Sequence, residues 1–219
     1  MSIVTPENLS SGLVVGLLLA SGFGRRFDAL GRRNKLLAPL PDGQTLVAAS
    51  ARALCNVLEH VAVVVPSRGT LIEAALSDLP VRLVRNARAD EGMGASIAVG
   101  VAALRADYPK ARGWLIALGD MPFVAPKTIR MIADTLIGGS TAGRARIVAP
   151  SYAGRRGHPV CFDNSFHDAL AGLHGDTGAT VLMGMHSVML LACDDPGVVR
   201  DIDTQDDLTR ARMANASSA

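Results

Sequence analysis

Three cysteines, Cys55, Cys161 and Cys193, are all that this 219-residue chain carries. They are odd in number, far apart, and in no C-x-x-C or Cys/His spacing. That excludes a disulfide framework or a zinc site and leaves small buried residues in a reduced compartment. A long apolar run is also missing. The stretch Leu13–Ala20 is too short to span a bilayer, and it is preceded by Glu7 rather than by Lys or Arg, so it does not read as a secretory signal. It reads as a buried first strand in a cytoplasmic protein. Charge of one sign is lacking as well, since 22 Lys and Arg against 20 Asp and Glu leave +2. Nucleic-acid and membrane partners usually leave an overall basic imprint, and there is none here. The chain shows no internal repeat and no low-complexity linker apart from the tail 215–219.

What is present is a chain 49% hydrophobic, enough to fill a core without staples. Short runs rich in Val, Ile and Leu read as strands at Leu13–Ala20, Val61–Val65, Val81–Val84, Gly113–Leu118, Arg146–Ala149, Pro159–Phe162 and Val188–Leu191. Helical spacing marks Thr45–Leu58, Thr70–Ser77, Ala95–Arg105, Pro126–Ile137, Ser165–Leu173, Gly178–Gly184 and Asp206–Met213. Strands that are apolar throughout, alternating with helices, predict one α/β domain. Its architecture is a doubly wound, mostly parallel sheet with helices on both faces. The domain spans residues 13–213, between an N-terminal extension (1–12) and a flexible tail (214–219).

Ligands of such sheets collect at the carboxyl ends of the strands, which directs attention to the loop after the first one. It reads Ala20-Ser21-Gly22-Phe23-Gly24-Arg25-Arg26-Phe27, followed by Gly31-Arg32-Arg33-Asn34-Lys35. Glycines admit an anion to the backbone N–H groups, and Arg and Lys neutralise phosphate oxygens, so the segment suits a triphosphate. Neither a Walker loop nor a dinucleotide fingerprint is present, the latter lacking glycine at Phe27 and an acidic end to the second strand. The competing reading is a tight turn with solvated arginines. Lysine occurs only at positions 35, 110 and 127, which singles out Lys35 as a phosphate ligand.

The fourth strand ends in Gly119-Asp120-Met121-Pro122. Asp120 either holds Mg²⁺ against a phosphate or caps the next helix, and the distance to Pro126 favours metal. In Asp201-Ile202-Asp203-Thr204, alternation puts both aspartates on one side. One of them completes the metal site, or Asp203 or Thr204 caps the last helix. His158, between Gly157 and Pro159, is available to a ligand or is a turn residue bonded to backbone.

Together these segments resemble the MobA-like nucleotidyltransferases, most closely the molybdenum cofactor cytidylyltransferase branch, from Leu13 to Leu208. The carrying motifs are Leu19-Ala20-Ser21-Gly22-Phe23-Gly24-Arg25-Arg26 with Lys35, Glu91-Gly92-Met93-Gly94-Ala95-Ser96-Ile97, Gly119-Asp120-Met121-Pro122, Arg156-Gly157-His158-Pro159-Val160, Gly175-Asp176-Thr177-Gly178-Ala179 and Asp201-Ile202-Asp203-Thr204. The resemblance implies a Rossmann-like enzyme that transfers a nucleotidyl group from a nucleoside triphosphate, CTP in this branch, to the terminal phosphate of molybdopterin, with release of pyrophosphate. It assigns Leu19, Ala20, Ser21, Gly22, Gly24, Arg25 and Lys35 to the nucleotide, with Gly92, Gly94 and Ser96 lining its base and ribose side. It gives Asp120 and Asp203 to Mg²⁺, and Arg156, Gly157, His158, Pro159 and Asp176 to the acceptor. Arg25, Lys35 and Asp120 carry the catalysis, and the product serves a molybdenum hydroxylase. The chain departs from the family pattern at Ser21, around Phe27 and at Thr180. Ser21 bears on the choice of base, so a GTP-dependent relative, another phosphorylated acceptor and a non-catalytic cofactor carrier are the alternatives.

Overall fold

The computed structural model describes residues 13–22, 27–28, 33–138 and 146–216. Its first strand, β1 (Val14–Leu19), is buried at every position, and the two-residue period of a strand divides its side chains between two cores. Val14 and Leu18 pack with Val47, Ala51 and Leu54 of α1 (Leu46–Cys55) and with Ile129, Ile132 and Leu136 of α4 (Pro126–Gly138). Val15, Leu17 and Leu19 face the opposite way, toward Ile97, Val101 and Leu104 of α3 (Met93–Asp107). The continuous apolar run thus reflects burial on both faces. α3 lies so close over the sheet that a Cβ on its Gly100 would stand 2.6 Å from Leu17 Cδ1.

Four parallel strands come first, in the order β3-β2-β1-β4, with β2 (Val61–Pro66), β3 (Val81–Asn86) and β4 (Gly113–Leu118). Beyond β4 lie β7 (Val160–Asp163), antiparallel to it, then β5 (Ile147–Tyr152), antiparallel to β7, and finally β8 (Met189–Ala192), parallel to β5. A mostly parallel sheet therefore describes the first half, and the second half is mixed. The reason is connection length: β5 turns straight back into β6 (Arg155–Arg156) and on to β7, too few residues for a parallel crossover. The turn uses Ala153 and Gly154, both at positive φ (48° and 75°), as a two-residue type I′ hairpin requires. The shorter helices are α2 (Thr70–Ala75), α5 (His167–Ala171) and α6 (Thr180–Met185), and α7 (Gln205–Ala216) closes the domain. Among the described residues no helix is long and apolar enough to cross a membrane.

The start of α4 is held from far along the chain. Asp195, 5% exposed, accepts hydrogen bonds at Oδ2 from Ala125 N (2.9 Å) and Thr128 Oγ1 (2.6 Å), and at Oδ1 from Gly197 N (3.0 Å). A carboxylate there satisfies open N–H groups and complements the helix dipole. Because Asp195 caps α4, Asp120 is spared that duty. We predict that Asp195→Ala lowers the free energy of unfolding by about 3 kcal/mol, since three donors, two of them buried, lose a charged acceptor. Urea unfolding checks this, and a loss below about 1 kcal/mol would refute the anchoring role.

Candidate active site

The carboxyl ends of β1 and β4 meet at a cleft of about 570 Å³. Leu19, Ser21 and Gly22 enter it from β1, and Leu118 and Asp120 from β4. The turn into α3 contributes Ala89, Asp90, Gly92, Met93 and Ser96, and Lys35, Leu36, Asp176 and Asp203 complete the wall. Strand ends in an α/β sheet point their backbone and following side chains outward at this edge, so polar groups gather here at no cost to the core.

One part of the cleft is ionic. Lys35 opens a 3₁₀ turn, Lys35–Leu37, that is capped by Asn34, whose Oδ1 accepts from Leu36 N at 2.9 Å. Its Nζ lies 2.7 Å from Asp120 Oδ2 and 2.7 Å from Asp203 Oδ1. Burial opposes the charge on the ammonium, but the two carboxylates outweigh it and hold the Lys35 pKa above its ordinary value. The lysine is therefore charged at neutral pH. The segment carrying Asp203 is brought to Asp120 by a backbone bond from Ile202 N to Asp120 O, 3.0 Å, while the fully buried Ile202 side chain anchors it from behind. Thr204, not Asp203, caps α7: Thr204 Oγ1 accepts from Asp207 N (3.1 Å), and Asp207 Oδ2 accepts from Thr204 N (2.9 Å). That reciprocal box leaves Asp203 to the cleft. Burial raises the pKa of neighbouring Asp201, helped by the charges of Asp203 and Asp120, and Asp201 does not line the cleft.

Asp120 Oδ1 is buried without a hydrogen-bond partner among the described residues. An orphaned carboxylate oxygen is costly unless something cationic reaches it. Two carboxylates against one ammonium leave net negative charge, and hard oxygen donors suit Mg²⁺ or Mn²⁺. Among the described residues no three His, Cys, Asp or Glu side chains form a metal cage by themselves. A cation held by Asp120 and Asp203 would complete its shell with water and phosphate oxygens, the usual habit of Mg²⁺.

Another part of the wall is neutral and built from hydroxyls. Ser21 Oγ and Ser96 Oγ are 2.7 Å apart, both nearly fully buried. Asn86 at the end of β3 donates from Nδ2 to Ser96 Oγ (3.1 Å), and its Oδ1 accepts from Arg88 N (2.8 Å), which fixes the orientation of the amide. Ser96 also donates to Gly92 O (3.2 Å). At Gly92, φ is 108° and a Cβ would stand 2.2 Å from Asp176 Oδ1. Only glycine allows that packing, and with the bond from Gly94 N to Gly175 O (2.7 Å) it brings Asp176 to the wall.

The structure thus gathers Leu19, Ser21, Gly22, Lys35, Gly92, Ser96, Asp120, Asp176 and Asp203 around one cleft. Ala20 is buried in the core, and Gly94 packs behind the wall. Gly24 and Arg25 lie outside the described residues. The segment Arg156-Gly157-His158-Pro159 does not line the cleft. Arg156 is exposed, Gly157 is packed against the Val198 carbonyl, and His158 donates its backbone N–H to Val198 O (2.8 Å). Burial pulls the His158 imidazole below its ordinary pKa against the opposing charge of Asp120, so it is neutral at neutral pH. Sequence reasoning missed Leu36, Ala89, Asp90 and Leu118 in the wall and Asn86 behind it, while Met93 falls within the Gly92–Ser96 segment it assigned to the nucleotide. Asn86 ends β3 directly after Arg85, and the run Val81–Val84 stops two residues short of it, so nothing in the sequence sets it apart.

A family model described as the MobA-like NTP transferase domain matches residues 16–189. The solved structure of Rv0371c from Mycobacterium tuberculosis is 30% identical, covers 93% of this chain and 99% of its own, and superposes with a TM-score of 0.76. A manganese complex of Rv0371c is 29% identical over 92% of this chain and 99% of its own, with a TM-score of 0.72. A nucleotidyl transferase from Methanothermobacter is 25% identical over 94% of this chain and 99% of its own, with a TM-score of 0.75. No curated protein matches by sequence. With the family model spanning most of the domain and the cleft built from the same segments, the chain belongs to the MobA-like NTP transferase family and is a nucleotidyltransferase.

Proposed function

We propose that this enzyme transfers CMP from CTP to the terminal phosphate of molybdopterin, releasing pyrophosphate, in the presence of Mg²⁺. The observation that carries the reading is the pairing, in one cleft, of a charged Lys35 with Asp120 and Asp203 and of two coupled hydroxyls at Ser21 and Ser96. The molybdopterin acceptor and the hydroxylase that receives the product rest on the motif resemblance to the cytidylyltransferase branch.

An acceptor phosphate is already ionised at neutral pH, so its oxygen attacks the α-phosphorus without a general base. The new oxygen–phosphorus bond replaces the α–β phosphoanhydride bond, and pyrophosphate leaves with the electron pair. What this displacement requires is in-line positioning and cancellation of charge between two anions. Lys35 supplies a positive charge, and the motif resemblance gives the glycine loop and Arg25, which lie outside the described residues, the role of further phosphate donors. Held by Asp120 and Asp203, Mg²⁺ would neutralise phosphate oxygens as a Lewis acid, and the manganese complex of Rv0371c supports a divalent cation in this family.

Hydrogen-bond counting supports cytosine over uracil. Ser96 Oγ accepts from Asn86 and donates its one proton to Gly92 O. With the Ser96 proton given to Gly92 O, Ser21 donates to Ser96, and its remaining lone pairs are acceptors. An acceptor at that position suits the exocyclic amino group of cytosine and rejects the carbonyl of uracil.

The deciding experiment is pyrophosphate release with molybdopterin and each of four triphosphates. CTP is expected to support turnover, and turnover with GTP alone, or with none, would defeat the proposal. In the same assay Asp120→Ala is expected to lower kcat by a factor of roughly 10²–10³ while the melting curve shows a folded protein. Undiminished turnover would remove Asp120 from the chemistry. Ser96→Ala is expected to reduce the preference for CTP over UTP about tenfold, the worth of one oriented hydrogen bond, and an unchanged ratio would dismiss the role given to the hydroxyl pair.

A further inference from the structure

Lys35 bonds one oxygen of each carboxylate that a divalent cation would use, Asp120 Oδ2 and Asp203 Oδ1, while Asp120 Oδ1 has no partner among the described residues. Its ammonium lies 2.7 Å from both Asp120 Oδ2 and Asp203 Oδ1, with the residue only 8% exposed. Mg²⁺ approaches its oxygen ligands to roughly 2.0–2.1 Å, and an ammonium bridging Asp120 and Asp203 competes with such an ion for the same two carboxylates. Two cations a few ångströms apart in a partly buried site repel strongly. The lysine therefore has to give way, and a buried ammonium does so only toward other anionic oxygens. A triphosphate in the same cleft, which Lys35 itself lines, offers them. The compact charge on a four-carbon stem with three rotatable donors suits such a transfer better than a guanidinium fork.

We propose that Lys35 is a built-in stand-in for the divalent cation. In the nucleotide-free protein it neutralises Asp120 and Asp203, and it releases them when a triphosphate provides new partners. Metal and nucleotide then bind with positive coupling that passes through one side chain, and linkage makes the effect reciprocal. This inference rests on the reading of Asp120 and Asp203 as cation ligands.

The test is calorimetric titration of Mn²⁺ into wild type and Lys35→Met, each with and without α,β-methylene CTP, which binds but cannot transfer CMP. In the absence of nucleotide, Lys35→Met is expected to bind Mn²⁺ about tenfold more tightly than wild type, although it binds the analogue more weakly. The factor by which the analogue strengthens Mn²⁺ binding should fall about tenfold in the variant. A lysine that merely repels a nearby ion would tighten Mn²⁺ equally with and without the analogue, and that result overturns the exchange. So does unchanged or weaker Mn²⁺ binding by the variant alone. Should the variant be too unstable to titrate, its melting temperature replaces calorimetry. Mn²⁺ should raise it more than it raises that of wild type, and an equal or smaller rise overturns the proposal. Asp120→Asn separates the two levels of inference: Mn²⁺ affinity that ignores this substitution defeats the assignment of the cation ligands, whereas affinity lost there with no coupling through Lys35 defeats the exchange only.

Discussion

A single ammonium bridging two carboxylates draws three distant parts of the chain to one point. Lys35 comes from the segment after the glycine loop, Asp120 from the end of β4, and Asp203 from the approach to α7. Each lies where an uncompensated charge would be expensive, so none of the three segments leaves the others unless a replacement charge arrives. The backbone supports the same arrangement through the bond from Ile202 N to Asp120 O and the burial of Ile202. The helix caps release the acids for this use. Asp195 serves α4 and Thr204 serves α7, so that neither Asp120 nor Asp203 is consumed by local structure.

The neutral part of the cleft follows a similar logic with hydrogen bonds in place of charge. Ser21 just after β1, Ser96 of α3 and Asn86 at the end of β3 bond to one another at the cleft wall, each almost fully buried. A satisfied buried network has few alternative arrangements, which turns a flexible hydroxyl into a group of defined polarity. Close backbone contact makes the network possible. Gly92 and Gly94 admit the loop at Gly175 and Asp176 against the start of α3, where any side chain would collide.

Much of this was readable from residues alone. Runs such as Val61–Val65 and Gly113–Leu118 are apolar throughout because both faces of those strands are covered, and this placed the strands and the α/β class directly. The scarcity of lysine marked Lys35, and the carboxylate after β4 marked Asp120. Less was readable where partners come from elsewhere in the chain. The distance to Pro126 favours a ligand role for Asp120, but the group that does cap α4, Asp195, lies more than sixty positions along the chain from its first turn. Asn86 escaped notice because its task is set by Ser96 and Arg88, not by its own strand. The direction of β7 was hidden too, since apolar periodicity is the same in parallel and antiparallel strands.

The amino-acid order by itself determined the layered α/β architecture, the glycine-rich loop after the first strand and the residue types able to meet a triphosphate, because these depend on local periodicity and short spacing. Only the tertiary structure decided that Lys35 sits between Asp120 and Asp203, that Asp203 and not Asp201 enters the cleft, and that the segment Arg156-Gly157-His158-Pro159 stays outside its wall. Those outcomes turn on which distant groups satisfy one another once buried. Burial energetics select such pairings across the whole fold, and no stretch of sequence contains them.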